Sequence, residues 1–241
     1  MLSILHCFKP SRLLLSLDIL FIALHLLLIA LFAEDLSAFY NRFTVDRERG
    51  FPELYQYLKF SLIAGLLFYL FTKRRAWTYA LWASIFGLAL LDDALGLHER
   101  GGRFLVSRFD IPHALGLRGQ DFGELITWGV AGVGVLFALW MSYRRAAPEL
   151  RRVSRQLVWR FALLGFFGLG VDAVHSLFRA SSVALQEGFA VLEDGGEMVV
   201  ASFIVAFVWR LAAERLERRG AHRESVHSFR RTSPTRLHSR P

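Results

Sequence analysis

Apolar residues along the chain gather into six long runs that short polar segments separate. Each run is about as long as the roughly 20 apolar residues that an α-helix needs to cross a bilayer. We therefore predict an all-α integral membrane bundle of about six transmembrane helices, with both termini on the same side. The predicted spans are about 13–33, 55–72, 77–98, 122–142, 157–178 and 188–212.

The composition agrees with this pattern. Of the 241 residues, 54% are hydrophobic and 14% aromatic, which is too apolar for an ordinary soluble domain. The spans leave no room for a separate soluble domain, so we predict one transmembrane domain over residues 1–213. Residues 214–241 are rich in Arg, Ser and His, and we predict a basic, disordered cytoplasmic tail there.

The net charge of +8 follows the predicted topology. Most Lys and Arg residues fall near the two termini and in the connections after the second and fourth spans. The positive-inside rule then places both termini in the cytoplasm. Because the basic residues are explained by topology, we predict no nucleic-acid role. The single cysteine, Cys7, excludes an internal disulfide and a cysteine-based metal site.

The third span ends in a group of ionisable residues, Asp92, Asp93, His98 and Glu99. An ionised carboxylate in hydrocarbon costs several kcal/mol, so such a group faces a wet cavity or binds something positive. Asp92 and Glu99 are seven residues apart and share one helix face. Asp93 and His98 lie on either side of that face, so the four side chains cannot all converge on one point from one helix.

The fifth and sixth spans carry further acids and a histidine near the same predicted membrane face. Asp172 and His175 have the three-residue spacing of the carboxylate–histidine pairs in di-metal helical bundles. Glu193 and Glu197 are four residues apart and repel each other unless a cation or proton lies between them. Helix capping explains Glu193 or its neighbour Asp194, whereas Glu197 lies too deep in the helix for that role.

The topology brings these groups to one end of the bundle, the external end, so we predict a polar cavity that opens there. Carboxylates with histidines are ligands for Zn²⁺, Mn²⁺ or Fe. Such a metal activates bound water, with a spare carboxylate as general base. Without a metal, the same groups suit a proton or cation pathway. The predicted metal ligands are Asp93, His98, Glu99, Asp172, His175, Glu193 and Glu197, and the predicted catalytic residues are Glu197 and Asp92.

Three further ionisable residues lie inside the first two spans. Asp18 and His25 share one face of the first span, and we interpret them as a pair that packs against the bundle. Lys59 lies about one turn inside the second span. It either extends toward water or pairs with a carboxylate such as Glu53 or an acid of the third span.

Short motifs in the chain resemble those of an uncharacterised group of bacterial polytopic membrane proteins. The shared motifs are an acidic pair before His-Glu in the third span, Asp-x-x-His in the fifth and Glu-Asp-x-x-Glu-Met in the sixth. The group also has an outer-loop Asp followed by Glu and Lys, as in Asp46, Glu53 and Lys59. Asp93 and Asp194 stand where the group has Glu. The resemblance implies a multi-pass protein of the bacterial inner (plasma) membrane, and it brings no assigned activity.

The leading hypothesis is a metal-dependent hydrolase or transferase that acts on a lipid or lipid-linked substrate at the external face. In chemistry alone this resembles membrane hydrolases of the ceramidase and adiponectin-receptor type, although the chain lacks their His-x-x-x-His motif. An ion- or proton-coupled transporter or channel is the first alternative, but the sequence has no visible inverted repeat. A non-catalytic accessory subunit, whose acids bind a basic partner, is the second. Membrane lipids are the expected partners in each case.

Overall fold

The structure is a computed structural model that describes residues 10–32, 42–112, 118–178 and 182–232. All regular secondary structure in these ranges is helical, which confirms the predicted all-α class. The elements in chain order are α1 (Pro10–Phe32), α2 (Phe51–Arg74), α3 (Trp77–Leu95), α4 (Leu97–Phe109), α5 (Gly119–Arg145), α6 (Pro148–Gly165), a first π-helical segment (Phe166–Val171), α7 (Asp172–Leu177), α8 (Val183–Ala190), a second π-helical segment (Val191–Gly195) and α9 (Gly196–Thr232).

Six helical stretches in the described ranges are long and apolar enough to cross a membrane, which confirms the predicted number of spans. Each stretch overlaps one span predicted from the sequence. Many of their leucine, valine and phenylalanine side chains are exposed, as expected for helices that contact lipid. The stretches are Ser11–Leu31, Phe51–Arg74, Trp77–Leu95, Gly119–Arg145, Pro148–Leu177 and Leu185–Glu214.

The third span ends earlier than predicted, at Leu95 instead of residue 98. Gly96 has a φ of +56°, a left-handed conformation that glycine adopts at low cost and that commonly ends helices. The carboxylate of Asp92 then accepts the backbone N–H of His98 at 2.9 Å, next to the start of α4. The chain that follows the third span is also helical, because α4 continues to Phe109.

The short helix α4 packs closely across the start of α5. A Cβ atom on Gly123 would lie 2.6 Å from the carbonyl oxygen of Gly102, and a Cβ on Gly101 would lie 2.7 Å from Thr127 Oγ1. Glycine at these positions therefore allows the two helices to cross in contact. This crossing fixes α4 at the end of the bundle where α3 finishes.

The central helix of the bundle is α9, which packs against α1, α2 and α6. Its buried Ile204 belongs to one apolar core with Ile63 and Leu67 of α2 and Trp82 of α3. The indole N–H of Trp82 donates to Ser154 Oγ at 3.1 Å, so its polar atom is satisfied inside the core. The half of the bundle on the predicted cytoplasmic side is therefore filled with side chains.

The carboxyl end of α9 differs from the sequence prediction. The helix continues to Thr232, whereas the sequence predicts a disordered tail from residue 214. The segment that begins at Glu214 reads Glu-Arg-Leu-Glu-Arg-Arg, and all of these residues have high helix propensity. Extending an existing helix also avoids the cost of starting a new one. Residues 233–241 of the predicted tail lie outside the described ranges.

Candidate metal centre and acidic cavity

Three side chains from separate parts of the chain come together at the outer end of the bundle, meaning the end where α1 finishes and α2 begins. His25 lies on α1 and is fully buried, Asp46 lies in the segment before α2, and Glu187 lies on α8. Their ligand atoms all lie within 4.8 Å of one another, so the three could hold a metal ion. Asp18, seven residues before His25, is also fully buried, so the predicted buried face of α1 is confirmed.

The imidazole of His25 contacts a different group at each nitrogen. Nδ1 accepts the backbone N–H of Val45 at 3.2 Å, which assigns the ring proton of the neutral form to Nε2. Nε2 lies 3.3 Å from Glu187 Oε2, yet both atoms are buried and neither makes a hydrogen bond within the described residues. A tetrahedral zinc ion with bonds of about 2.0–2.1 Å separates its ligand atoms by roughly 3.3–3.4 Å. The spacing of the two unsatisfied atoms therefore fits a shared metal ion.

Metal binding at Nε2 would change the contacts at the other nitrogen. A ligating Nε2 carries no proton, so the proton of a neutral imidazole moves to Nδ1. Asp46 Oδ1 lies 3.9 Å from Nδ1, and its side chain is partly exposed. A local movement of Asp46 would bring its carboxylate to the protonated Nδ1 or to the ion.

A cavity of about 440 Å³ opens beside this group, and Asp46 belongs to both. Its wall comes from the segment before α2, from α2, from the junction of α3 and α4, and from the start of the sixth span. Eight carboxylates in this wall stand against four arginines and one histidine, so the cavity is acidic overall. The acids are Asp46, Glu48, Glu53, Asp93, Glu99, Glu193, Asp194 and Glu197, and the basic residues are Arg47, Arg49, Arg100, Arg103 and His98.

The two π-helical segments position the acids of the sixth span. The second segment carries Glu193 and Asp194, and its wider turn changes the register of the side chains that follow. It packs against the first segment, in which Gly168 lies. A Cβ on Gly168 would collide with the carboxylate of Glu197, so glycine makes room for this acid. Glu193, Asp194 and Glu197 consequently all line the cavity.

His175 lies next to the cavity wall and is joined to it through Glu193. Its Nδ1 atom is 3.1 Å from Glu193 Oε2, and its ring stacks on Phe189. Asp172, which precedes His175 by one turn, interacts electrostatically with Glu193 and Glu197. The predicted Asp172–His175 pair therefore adjoins the acids of the sixth span, while the described cavity lining includes neither residue.

The ionisable residues on both sides of the junction between α3 and α4 divide between two arrangements. Asp93 faces the cavity, whereas Asp92 turns to His98, with Oδ2 at 2.8 Å from the ring Nδ1. This hydrogen bond raises the pKa of His98 above its usual value. Glu99 pairs with Arg103 one turn along α4, at 3.2 Å. Asp92 thus orients His98, and Asp93 adds its charge to the cavity.

Lys59 pairs with a carboxylate, but with neither of the partners expected from the sequence. Its Nζ atom lies 2.8 Å from Asp18 Oδ1 and 2.8 Å from the carbonyl oxygen of Met198, and the Lys59 and Asp18 side chains are fully buried. Asp18 Oδ2 accepts a further hydrogen bond of 2.6 Å from Ser202. Glu53 is held instead by the Tyr57 hydroxyl and the backbone N–H of Arg49. The expectations that Lys59 reaches water or Glu53 are therefore wrong, because α1 presents Asp18 to it inside the bundle.

The structure gathers five of the seven predicted metal ligands around one cavity, but not around one point. The five are Asp93, His98, Glu99, Glu193 and Glu197. Within the described ranges, the one group of three or more His, Cys, Asp or Glu with ligand atoms this close is His25, Asp46 and Glu187. The metal-binding and catalytic roles given to the residues from the sequence stay predictions.

The sequence pattern predicts residues of the cavity wall as site residues but does not predict the candidate metal group. It assigned His25 to helix packing, named Asp46 only within a motif, and did not single out Glu187. A usable signal was present for two of the three, because Asp46 lies in an outer connection and Glu187 directly before the predicted start of the sixth span. The prediction considered ionisable residues inside the long apolar spans and did not consider the short segments before the second and sixth predicted spans.

The six spans and the polar site between them define a multi-pass integral membrane protein. The chain belongs to the family described as a domain of unknown function (DUF8692), whose model matches residues 13–211. This match covers most of the chain. The resemblance predicted from the sequence is also to an uncharacterised family and also covers most of the chain. No curated protein and no solved structure matches the chain.

Proposed function

We propose that the protein is a metal-dependent hydrolase or transferase that acts within the membrane on a lipid or lipid-linked substrate. The observation that carries this proposal is the facing pair His25 Nε2 and Glu187 Oε2, buried, unsatisfied and 3.3 Å apart, with Asp46 beside them. Imidazole and carboxylate ligands suit Zn²⁺, Mn²⁺ and Fe. With the Asp46 carboxylate moved onto the ion, the three protein ligands would leave a coordination position for water or substrate, as catalytic sites require.

The adjoining cavity supports this chemistry because it supplies a base and space for a substrate. A metal ion of this kind lowers the pKa of bound water to about 7 and polarises a carbonyl or phosphoryl oxygen. Glu197 lines the cavity in a half-buried position, so we assign it the role of general base. Asp92 contacts His98 instead of the cavity, and we assign it a positioning role.

We also propose that the cavity faces the exterior of a bacterial inner membrane. The excess of Lys and Arg at the opposite end of the bundle supports this orientation. Trp77 and Trp159 lie at that opposite end and are 77% and 73% exposed, which is typical of side chains in an interfacial belt.

A cation or proton pathway across the membrane is the main alternative. The buried Lys59–Asp18 pair favours it, because ionisable groups inside a bundle often mark such pathways. Beyond that pair, however, Ile63, Trp82 and Ile204 close the described core. A site that opens to one face and ends on a packed core is more typical of catalysis at that face.

Elemental mass spectrometry of the purified protein, after loading with Zn²⁺, Mn²⁺ or Fe²⁺ and removal of loosely bound metal, tests the proposal. We expect about one ion per chain in the wild type and at least a tenfold loss in His25→Ala and in Glu187→Gln. His175→Ala is the matched control, because it removes a histidine from the same end of the bundle but outside the group. A metal-free wild type contradicts the proposal, as does loss of metal in His175→Ala with retention in His25→Ala.

A further inference from the structure

We infer that the acidic cavity binds the head group of a phospholipid that carries both a phosphate and a primary ammonium group. This inference names the substrate class of the proposed function and rests on it for the reaction. Binding of the head group, by contrast, depends on the cavity wall and is measurable without metal.

Gln56 gives the first reason to expect a ligand in the cavity. It lies in the wall with only 5% of its surface exposed, and neither atom of its side-chain amide has a hydrogen-bond partner within the described residues. Leaving a buried amide unpaired is costly, so a partner from outside the protein is expected. The amide has one accepting oxygen and one donating nitrogen. A ligand that satisfies both atoms must itself offer donors and acceptors.

The charges of the wall indicate which donors and acceptors these are. Asp194 and Glu197 are half-buried, whereas the arginines of the lining, Arg100 and Arg103 among them, are exposed. An ammonium group would donate to Asp194, so that Glu197 keeps its proposed role as base, and a phosphate would accept from the guanidinium groups nearer the opening. A ligand that carries both charges complements both sets, and its phosphate would share the Arg103 guanidinium with Glu99.

The wall also favours a primary over a quaternary ammonium group. Quaternary ammonium ligands are held by cages of several aromatic rings. Tyr57 is the one Phe, Tyr or Trp in the described lining, whereas carboxylates are abundant there. Carboxylates are best satisfied by N–H donors, which a quaternary nitrogen lacks.

The size of the cavity exceeds what an ion requires. A volume of about 440 Å³ lies within the range of small-molecule sites. A hydrated metal ion alone would leave most of that space filled with water, whereas a head group with its glycerol attachment uses it.

Helix α4 indicates that the ligand is a lipid and not a soluble amine phosphate. This helix carries Arg100 and Arg103 in the cavity wall and also exposes Phe104 and Phe109, at 64% and 66%. Such a division between arginines and exposed aromatic residues is typical of a helix that lies in the membrane interface. Leu95, which is exposed at the end of α3, continues the apolar surface from the cavity wall onto the span. The acyl chains would follow that surface while the head group enters the cavity.

Binding of short-chain phosphatidylethanolamine to the full chain in detergent micelles, with a chelator present, tests the inference. Native mass spectrometry gives the dissociation constant, and phosphatidylglycerol and phosphatidylcholine of equal chain length serve as comparison lipids. We expect phosphatidylethanolamine to bind at least tenfold more tightly than either, and free phosphoethanolamine at least tenfold more weakly than the lipid. Gln56→Leu and Arg103→Gln should each weaken phosphatidylethanolamine binding about tenfold, because a hydrogen bond to a charged or buried group is lost.

Arg108→Gln is the matched control, since Arg108 lies on the same helix, is exposed and does not belong to the described cavity lining. It should bind phosphatidylethanolamine like the wild type. Equal binding of the three lipids, unchanged binding in Gln56→Leu, or equal loss in Arg108→Gln overturns the inference. Metal content measured on the same protein separates the two proposals. Metal without lipid preference removes only the head-group inference, and lipid preference without metal removes only the metal-dependent function.

Discussion

Replacement of Lys59 by methionine perturbs the buried ion pair that joins α1, α2 and α9 beneath the cavity. The variant keeps an unbranched side chain that is one atom shorter, and it leaves Asp18 without its positive partner. Both side chains are fully buried, and Nζ lies 2.8 Å from Oδ1. At an effective dielectric constant of about 20, two unit charges at that distance attract each other by about 6 kcal/mol. Desolvation offsets part of this attraction, and removal of one partner from a buried pair typically costs about 3–5 kcal/mol.

We therefore expect Lys59→Met to lose about 3–5 kcal/mol of unfolding free energy. The double variant Lys59→Met/Asp18→Asn separates the loss of charge from the loss of shape. In the double variant neither charge remains, and the side-chain amide oxygen at position 18 can still accept the hydrogen bond from the Ser202 hydroxyl. Removal of a complete buried pair is often close to neutral, so the double variant should recover about 2 kcal/mol or more relative to Lys59→Met.

Equilibrium unfolding in mixed micelles, with increasing sodium dodecyl sulfate and tryptophan fluorescence as the signal, measures these differences. Lys73→Met is the matched control, because Lys73 is exposed near the end of the same helix. It should change the unfolding free energy by less than about 0.5 kcal/mol. A Lys59→Met protein within about 1 kcal/mol of the wild type refutes this expectation, as does a double variant that is no more stable than Lys59→Met.

Three more changes test contacts around the cavity. Gly168→Ala puts a methyl group against the Glu197 carboxylate and should cost about 1–3 kcal/mol in the same unfolding assay. Asp92→Asn keeps an acceptor for the His98 N–H but removes the charge that raises the His98 pKa. That stabilisation is complete below the unfolded-state pKa of about 6.5 and is lost as the pH rises through the higher folded-state pKa. The unfolding free energy of the wild type should therefore exceed that of the variant most near pH 6 and least at alkaline pH. Glu197→Gln should keep or gain stability and lose hydrolytic or transfer activity, and a fully active variant would exclude Glu197 as the base.

The membrane fold can be predicted from the sequence because its main determinants are local. Runs of about 20 apolar residues define the spans, and the placement of arginines defines their alternation. Once the spans are known, the depth of Asp93, Glu193 and Glu197 follows from helix geometry. The shared cavity of these three acids could therefore be predicted before the structure was known.

The metal group and the partner of Lys59 could not be predicted in the same way. His25, Asp46 and Glu187 are brought together by the packing of segments that are far apart in the chain. Periodicity shows that Asp18 and His25 share a face of α1, but not which helices that face meets. The π-helical segments add a second difficulty, because a change of helical register inside a span has no simple sequence signal.

The proposed function depends most on a metal ion that binds between His25, Asp46 and Glu187. Crystals of zinc-loaded protein, with diffraction recorded on both sides of the zinc absorption edge, locate the ion directly. We predict one anomalous peak per chain at about 2.0–2.2 Å from His25 Nε2 and from a Glu187 carboxylate oxygen, with Asp46 in contact with the ion or with Nδ1. A peak between His175 and Glu193, or no peak in the bundle of fully zinc-loaded protein, would contradict the claim.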